Sequence, residues 1–466
     1  MNHYHDSPTL RYEKTKRQEL NDFNFSDIKQ GSELESHYWV DDYRLSRAFG
    51  SILPARLADL IDLAMAVYYA DRRARRVRNP FELTGHRDIR IRLPVRELKM
   101  WKSSEVNANL AELLSWFTED SWEFEFTELE VHRKSESEKS LFASPVAYPN
   151  ISLLFSGGLD SLAGLCTLMD KNRDCSFILV SGCTSQLIAR VQRDLIREMV
   201  KYWQNQSREL RSVVIPFGIR KPECSVQEET SQRSRGFVFL LIGAVAAIMA
   251  KSTVLYVCEN GIGSVNLPFN EGQLGVDNTR GVHPLSLIGT SDFLGLVLEQ
   301  SLPIVNPFEF STKAEMCQAL KKLGLDALVK MTVSCDGFPL RIHDSPLQCG
   351  ICTSCLLRRC SLHAADLAVA DSGTCYRFDV KNSFVRLSQG QLYPLMAVLD
   401  QADKIRTCVA SPSPWEAMIE AFPELIEIQY KVSERRYMSM NDIAESYIRM
   451  YRAYAGEWGV FPLSAH

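Results

Sequence analysis

From residue 151 the chain alternates short apolar runs with helical patterns, and that alternation leaves few folds open. Residues 151–155 precede a helical pattern from Ser161, and residues 177–180 precede one across 188–202. Residues 213–215 lead to a pattern over 237–250, and residues 254–257 to one near 285–298. Runs this short and this apolar read as strands buried on both faces, which requires a parallel sheet with helices covering each side. The expected fold class is therefore α/β. Ligands of such sheets bind at the carboxyl ends of the strands.

The first of these strands runs directly into Ser156-Gly157-Gly158-Leu159-Asp160-Ser161. Two glycines allow a sharp turn and a close backbone approach to an anion. The helix start that follows aims unpaired N–H groups and the positive dipole end at phosphates. Ser156 and Ser161 can donate hydroxyl hydrogens, and Asp160 can hold a magnesium ion that bridges phosphates. No Gly-Lys-Ser/Thr follows, so this is not a Walker loop. The hexapeptide resembles the PP-loop of ATP pyrophosphatases, which adenylate a substrate and release pyrophosphate; the resemblance implies ATP and Mg2+ as ligands.

A second cluster lies downstream. Cys335 is followed by Cys349, Cys352 and Cys355, the last three in two Cys-x-x-Cys steps with Gly350 at the turn. Four thiolates satisfy tetrahedral Zn2+; an iron–sulfur cluster or reduced core cysteines are the alternatives. A helix is expected to begin after Cys355. Cys360 is a spare that packs in that helix, and Cys166, Cys175, Cys183, Cys258 and Cys317 fall in strand or helix patterns where buried thiols are common. The chain has 13 cysteines, and its polar start lacks the basic-then-apolar order of a secretory signal. Reduced thiols and a cytoplasmic location are expected.

The flanks read differently. Residues 1–36 form a polar tail. An α+β region at 37–147 includes a helix after Pro54, with Leu57, Leu60, Ile61 and Ala64 at helical spacing. Two strand patterns follow, one with Ile89, Ile91 and Leu93 opposing Asp88, Arg90 and Arg92, the other with Trp122, Phe124 and Phe126 opposing Glu123 and Glu125. Pairing of these strands would neutralise the arginine stripe. That stripe, like Arg72-Arg73-Ala74-Arg75-Arg76, then reads as a locally paired face rather than a phosphate track. Net charge is −4, which offers nucleic acid no bulk attraction. Residues 134–139 read as a linker, 148–372 as the strand-helix domain with the cysteine site, and 373–466 as a helical extension with periodic stretches at 415–430 and 443–454. No apolar run is long enough to cross a bilayer.

Taken together, the loop at 156–161 and the cysteines at 335–355 resemble the 7-cyano-7-deazaguanine synthase (QueC) family of PP-loop enzymes, over about 148–372. The run Arg233-Ser234-Arg235-Gly236-Phe237 looks like that family's arginine-led helix start, and Lys313-Ala314-Glu315 sits where it carries a Lys-x-Glu pair. The resemblance implies an adenine nucleotide α-hydrolase-like fold. It implies attack of a 7-carboxy-7-deazaguanine carboxylate on the α-phosphate of ATP, with Lys313 and Arg235 clamping phosphates. Leu162 stands where the family usually has threonine, and the 335–349 spacing is longer. The substrate loop is replaced by residues 259–268, followed by Asp277-Asn278-Thr279-Arg280 and His283-Pro284. With the two flanking regions, these departures look like the QueC-like proteins of anti-phage defence, such as QatC of Qat systems and those of type IV CBASS. That branch implies amide formation on the N-terminal amine of a protein partner, without membrane or direct nucleic-acid binding. A nitrile-forming synthase and a non-catalytic scaffold are the alternatives. His283 is read as a substrate contact or a helix-start residue, the latter being commoner before proline.

Overall fold

The computed structural model describes residues 21–25, 38–76, 85–129, 133–138, 149–204, 209–219, 228–269, 280–338, 340–342, 345–380 and 387–462. Most of the polar tail, Lys139 of the expected linker and Asp277-Asn278-Thr279 lie outside these residues.

Along the chain come β1 (Asn21–Asn24), β2 (Tyr38–Val40), β3 (Asp88–Val95) and β4 (Ser121–Glu128), then β5 (Asn150–Leu154), β6 (Ser176–Cys183), β7 (Leu210–Ile219), β8 (Leu255–Val257) and β9 (Ile304–Val305). Six of them form one sheet in the order β2-β7-β6-β5-β8-β9. Its strands are parallel except β2, which runs antiparallel on β7 at the edge. The period of two decides which side each residue serves. On β6, Phe177 and Leu179 share a core with helices Leu159–Lys171, Gln186–Gln204 and Lys313–Lys322, whereas Ile178 and Val180 share the opposite core with Arg235–Met249 and Pro284–Leu298. The chain is thus α/β with helices on both faces of a largely parallel sheet.

The second core does not stop at the sheet. It continues through helix Ala55–Arg73 into a smaller parallel sheet, β1-β3-β4. That helix is buried on all sides, including Asp59, Asp62 and Asp71 at 0% exposure. Isolated buried carboxylates would cost several kcal/mol each, so every one is paired. Arg96 reaches Asp59 at 3.0 Å and Asp62 at 2.8 Å, Arg133 reaches Asp62 at 2.7 Å, and Arg87 reaches Asp71 at 2.6 Å. On the outer face of the small sheet, Arg90 stands opposite Glu123 and Arg92 opposite Glu125, each pair at 2.8 Å. Arg76 pairs with Asp120 at 2.7 Å, and Arg72 with Glu228. The arginines are locally neutralised, as the strand patterns required.

Four expectations are corrected. The polar tail contains β1, which pairs with β3, and Phe25 beyond it is buried against Tyr38 and Tyr69. The expected linker holds a short helix, Lys134–Ser137, because Glu136 is drawn inward by Arg96 at 2.7 Å and Ser135 accepts from Ser46 at 2.8 Å. The helix at the cysteines starts at Thr353, not after Cys355, because Cys352 acts as its cap. The 415–430 pattern breaks into Pro414–Ala421 and Leu425–Arg436, since Pro423 removes a donor and forces Phe422 out of the helical region. With Gln389–Val409 and Met440–Val460 these make a helical carboxyl-terminal region around its own core. Among the described residues no helix is long and apolar enough to cross a membrane.

Candidate functional site

β5 ends at Leu154, and the chain turns through Gly157 at φ +82°, a left-handed conformation that glycine alone adopts cheaply. Gly158 precedes the helix Leu159–Lys171. Three hydrogen bonds among two hydroxyls and the Gly158 backbone close a ring. The Gly158 N–H donates to Ser156 Oγ at 3.2 Å, Ser156 Oγ donates to Ser161 Oγ at 3.2 Å, and Ser161 Oγ donates to the Gly158 carbonyl at 2.9 Å. The first intrahelical bond is Leu162 N–H to Gly158 O at 3.1 Å. The amides of Leu159, Asp160 and Ser161 therefore have no acceptor within the helix, the arrangement that suits an anion. Gln192, buried in helix Gln186–Gln204, donates to Ser156 O at 3.2 Å and fixes the loop from behind.

Asp160 points the other way, into a buried cluster. Its Oδ2 meets Lys313 Nζ at 2.9 Å and accepts from Asn260 Nδ2 at 3.0 Å. Glu259 hydrogen-bonds both Asp160 and Asn260. Burial alone would push the Asp160 carboxyl up, but the Lys313 charge outweighs it and holds it below its ordinary value. Glu259 moves the other way: burial, then the adjacent Asp160 charge, raises its carboxyl well above the usual range. Lys313 is kept charged by the two carboxyls against the pull of burial. Two carboxyls thus face one lysine, and their mutual repulsion raises the one that the lysine does not bond.

Glu259 of this cluster borders a cleft of about 780 Å³ at the carboxyl ends of β5, β6 and β8, a size that accommodates a nucleotide-scale ligand, while Asp160, Asn260 and Lys313 are buried behind it. Ser156 and Ser161 line one part and Glu259 another, with Arg235 on the wall. Arg235 heads the Arg235–Met249 helix, its guanidinium 5.2 Å over the Phe239 ring. Its Nε is buried without a hydrogen-bond partner, and burial lowers its pKa. Among the described residues no carboxylate pairs with it. The amino-terminal region sets this wall, since both the N–H and the hydroxyl of Ser234 donate to Asp71 Oδ2, at 3.0 and 2.7 Å.

The cysteines converge. The sulfurs of Cys335, Cys349, Cys352 and Cys355 lie within 4.8 Å of one another, and Cys349 and Cys355 are 3.8 Å apart. A tetrahedral zinc with bonds of ~2.3 Å needs sulfur separations of ~3.8 Å. Backbone amides point at the sulfurs, Cys349 N to Cys335 Sγ at 3.2 Å and Cys352 N to Cys349 Sγ at 3.1 Å, which favours thiolates. Gly350 sits at φ +83°, and a Cβ there would lie 2.1 Å from the Phe378 carbonyl. The group can therefore hold a metal such as zinc. It is also tied to the glycine loop: Val333, two residues before Cys335, donates to the Gly157 carbonyl at 3.2 Å. Arg358, fully buried in the cysteine helix, ties that segment down through the Val329 carbonyl at 2.8 Å and Asp371 at 2.9 Å.

Of the expected site residues, Ser156, Ser161 and Arg235 line the cleft; Gly157 and Gly158 form the turn beside it, Asp160 and Lys313 pair behind it, Leu159 packs in the apolar core, and the four cysteines converge on one another next to the loop. Sequence reasoning passed over Gln192, and it quoted Glu259 and Asn260 only as part of a replaced loop. A lone amide on the apolar face of a helix was the available signal for Gln192. His283 is a helix-start residue: its Nδ1 accepts from Leu285 N at 3.2 Å, and the ring packs on Trp116. Burial, then the Arg280 charge, lowers its pKa to about 3. The unfolded chain takes up this proton below about pH 6.5 while the folded one does not. The contribution is complete above that pH and declines by up to about 1.4 kcal/mol per unit as pH falls toward 3. Denaturant titrations at pH 7 and 5 should show this slope in the parent and a shallower one in His283→Asn. No protein-family model matches the chain, and no curated protein matches it.

Proposed function

We propose that this chain is a PP-loop ATP pyrophosphatase with the adenine nucleotide α-hydrolase-like fold, acting as an ATP-dependent C–N ligase on a 7-carboxy-7-deazaguanine carboxylate. The observation that carries the reading is the set of anion-directed groups around one cleft. Loop amides with no acceptor within the helix lie at the tip of β5, Lys313 is buried behind them, and Arg235 is half-buried, with its Nε buried and, among the described residues, no carboxylate beside it. Holding a half-buried guanidinium at a cavity wall with no carboxylate beside it has a cost, and an anionic ligand offsets that cost. The resemblance of residues 148–372 to the 7-cyano-7-deazaguanine synthase family supplies the substrate class.

In this reaction the carboxylate oxygen bonds to the α-phosphorus as the bond to the bridging oxygen breaks, and the electron pair leaves with pyrophosphate. An amine then attacks the acyl carbon, AMP departs with the C–O electron pair, and the amine nitrogen loses a proton to solvent. The loop amides and Lys313 hold the departing charge. Asp160, whose Oδ1 is buried without a hydrogen-bond partner, and Glu259 are the residues that would hold a divalent ion, which would supply charge neutralisation to the phosphates. The cysteines would hold zinc in a closed, structural role. By resemblance to the defence branch, the acceptor is the N-terminal amine of a protein partner.

Protein incubated with ATP, Mg2+ and 7-carboxy-7-deazaguanine should release AMP and pyrophosphate. Appearance of ADP and inorganic phosphate would refute the reading. Arg235→Ala should weaken Mg·ATP or acyl-substrate binding by about 2 kcal/mol, a ~30-fold rise in Kd by calorimetry, with the melting temperature not lowered.

A further inference from the structure

The segment 306–315 joins the end of β9 to Lys313, and the carboxyl-terminal helices grip it at several points. Glu309 is buried at 5% exposure and faces away from the cleft cluster. Its Oε1 accepts from the Tyr447 hydroxyl at 2.7 Å, and its Oε2 meets Arg436 at 2.5 Å. Arg436 also donates to the Asn306 carbonyl at 3.0 Å and lies over Phe310, whose ring packs edge-on against Tyr447 at 5.0 Å. Arg449 pairs with Glu315 at 2.5 Å and donates to the Phe310 carbonyl.

The same segment carries the other cleft residues. Asn306 donates to the Glu259 carbonyl at 2.8 Å, and the Ser311 carbonyl accepts from Gly261 N at 2.8 Å. At Gly261 a Cβ would lie 2.0 Å from the Glu309 carbonyl and 2.2 Å from Met450 Sδ, so strand end, loop and carboxyl-terminal helix meet with no space between them. Thr312 then caps the helix that begins with Lys313.

We infer that Glu309, Arg436 and Tyr447 form a latch by which the carboxyl-terminal helices position Lys313 against Asp160, making these three residues positioning residues for the cleft chemistry. None of them borders the cleft, so they act through Lys313 rather than on a ligand. The latch rests on Lys313 being the phosphate-side cation of the proposed reaction. It assigns the carboxyl-terminal region a part in the site without requiring it to touch substrate.

Two readouts test this. In Arg436→Gln, labelling of Lys313 by an amine-acylating reagent, read by peptide mass spectrometry relative to exposed Lys322 of the same helix, should rise at least ten-fold. The milder Tyr447→Phe should raise it less, and Arg436→Lys should largely restore protection. An unchanged ratio in Arg436→Gln, or no difference between the Gln and Lys variants, would overturn the latch. This arm needs no catalytic activity and stands even if the ligase reading fails. The second arm is a double-mutant cycle on pyrophosphate release. Arg436→Gln should slow release about ten-fold in the parent and have no further effect in Lys313→Ala. Additive losses would mean that Arg436 does not act through Lys313 and would overturn the inference.

Discussion

Lys313→Ala should reduce pyrophosphate release by about two to three orders of magnitude, the scale seen when a preorganised charge at a transition state is removed. The substitution also leaves Asp160 and Glu259 buried together with no counter-charge, and breaking a buried pair from one side costs about 3–5 kcal/mol. The two effects separate in the double variant with Asp160→Asn, which removes the stranded charge. Stability by chemical denaturation should then recover in part while the rate does not. The sign of the pH response follows from Asp160. Its carboxyl lies below its ordinary value in the parent, so the stability it gives is present at neutral pH and lost as pH falls through the folded value. In Lys313→Ala that order reverses, because burial then dominates and the folded carboxyl titrates above the unfolded one. The variant should gain relative stability on acidification. A rate within ten-fold of the parent would remove Lys313 from the chemistry.

Cys355→Ala should release the metal and with it the phosphate loop. Cys355 is fully buried, and its sulfur lies 3.8 Å from that of Cys349. A metal bound a thousand-fold above its dissociation constant stabilises a fold by about 4 kcal/mol, and that contribution disappears with the fourth ligand. The loss should spread along the chain. Cys335 is two residues from Val333, which donates to the Gly157 carbonyl, so freeing the cysteine knot frees the back of the glycine turn. The parent should carry one zinc per chain by mass spectrometry of the metal, and the variant none. Amide exchange should rise over 329–338 and 155–162, and Mg·ATP binding should weaken beyond detection. Cys360→Ala, also fully buried, removes no ligand and should keep the metal. Full metal occupancy in Cys355→Ala would place the site elsewhere.

Much of this was legible in the sequence because it depends on short-range chemistry. The glycine turn, the hydroxyls of Ser156 and Ser161 and the Cys-x-x-Cys steps each bring their own geometry within a few residues. Period-two and helical apolar patterns located the main sheet for the same reason. Long-range choices were not legible. Nothing local shows that Asn260 and Lys313 both close on Asp160, since the contacts depend on which strands become neighbours. The segment at 134–137 reads as a charged linker because the contacts that order it, Glu136 with Arg96 and Ser135 with Ser46, come from forty or more residues away. β1 was hidden by its neighbours' polarity, and only Phe23 and Phe25 hinted at burial there.

The three aspartates of helix Ala55–Arg73 carry a consequence for the order in which the molecule can form. Asp71 pairs through Oδ1 with nearby Arg87, but its Oδ2 receives its bonds from Ser234, 163 residues further along. Until that segment arrives, closing a dry layer over the helix would leave one oxygen of this ion pair without a donor, which disfavours full consolidation of the layer before helix Arg235–Met249 is in place. Refolding should then show the amino-terminal layer consolidating last, in step with the helix headed by Arg235, rather than as an independent unit that forms ahead of it.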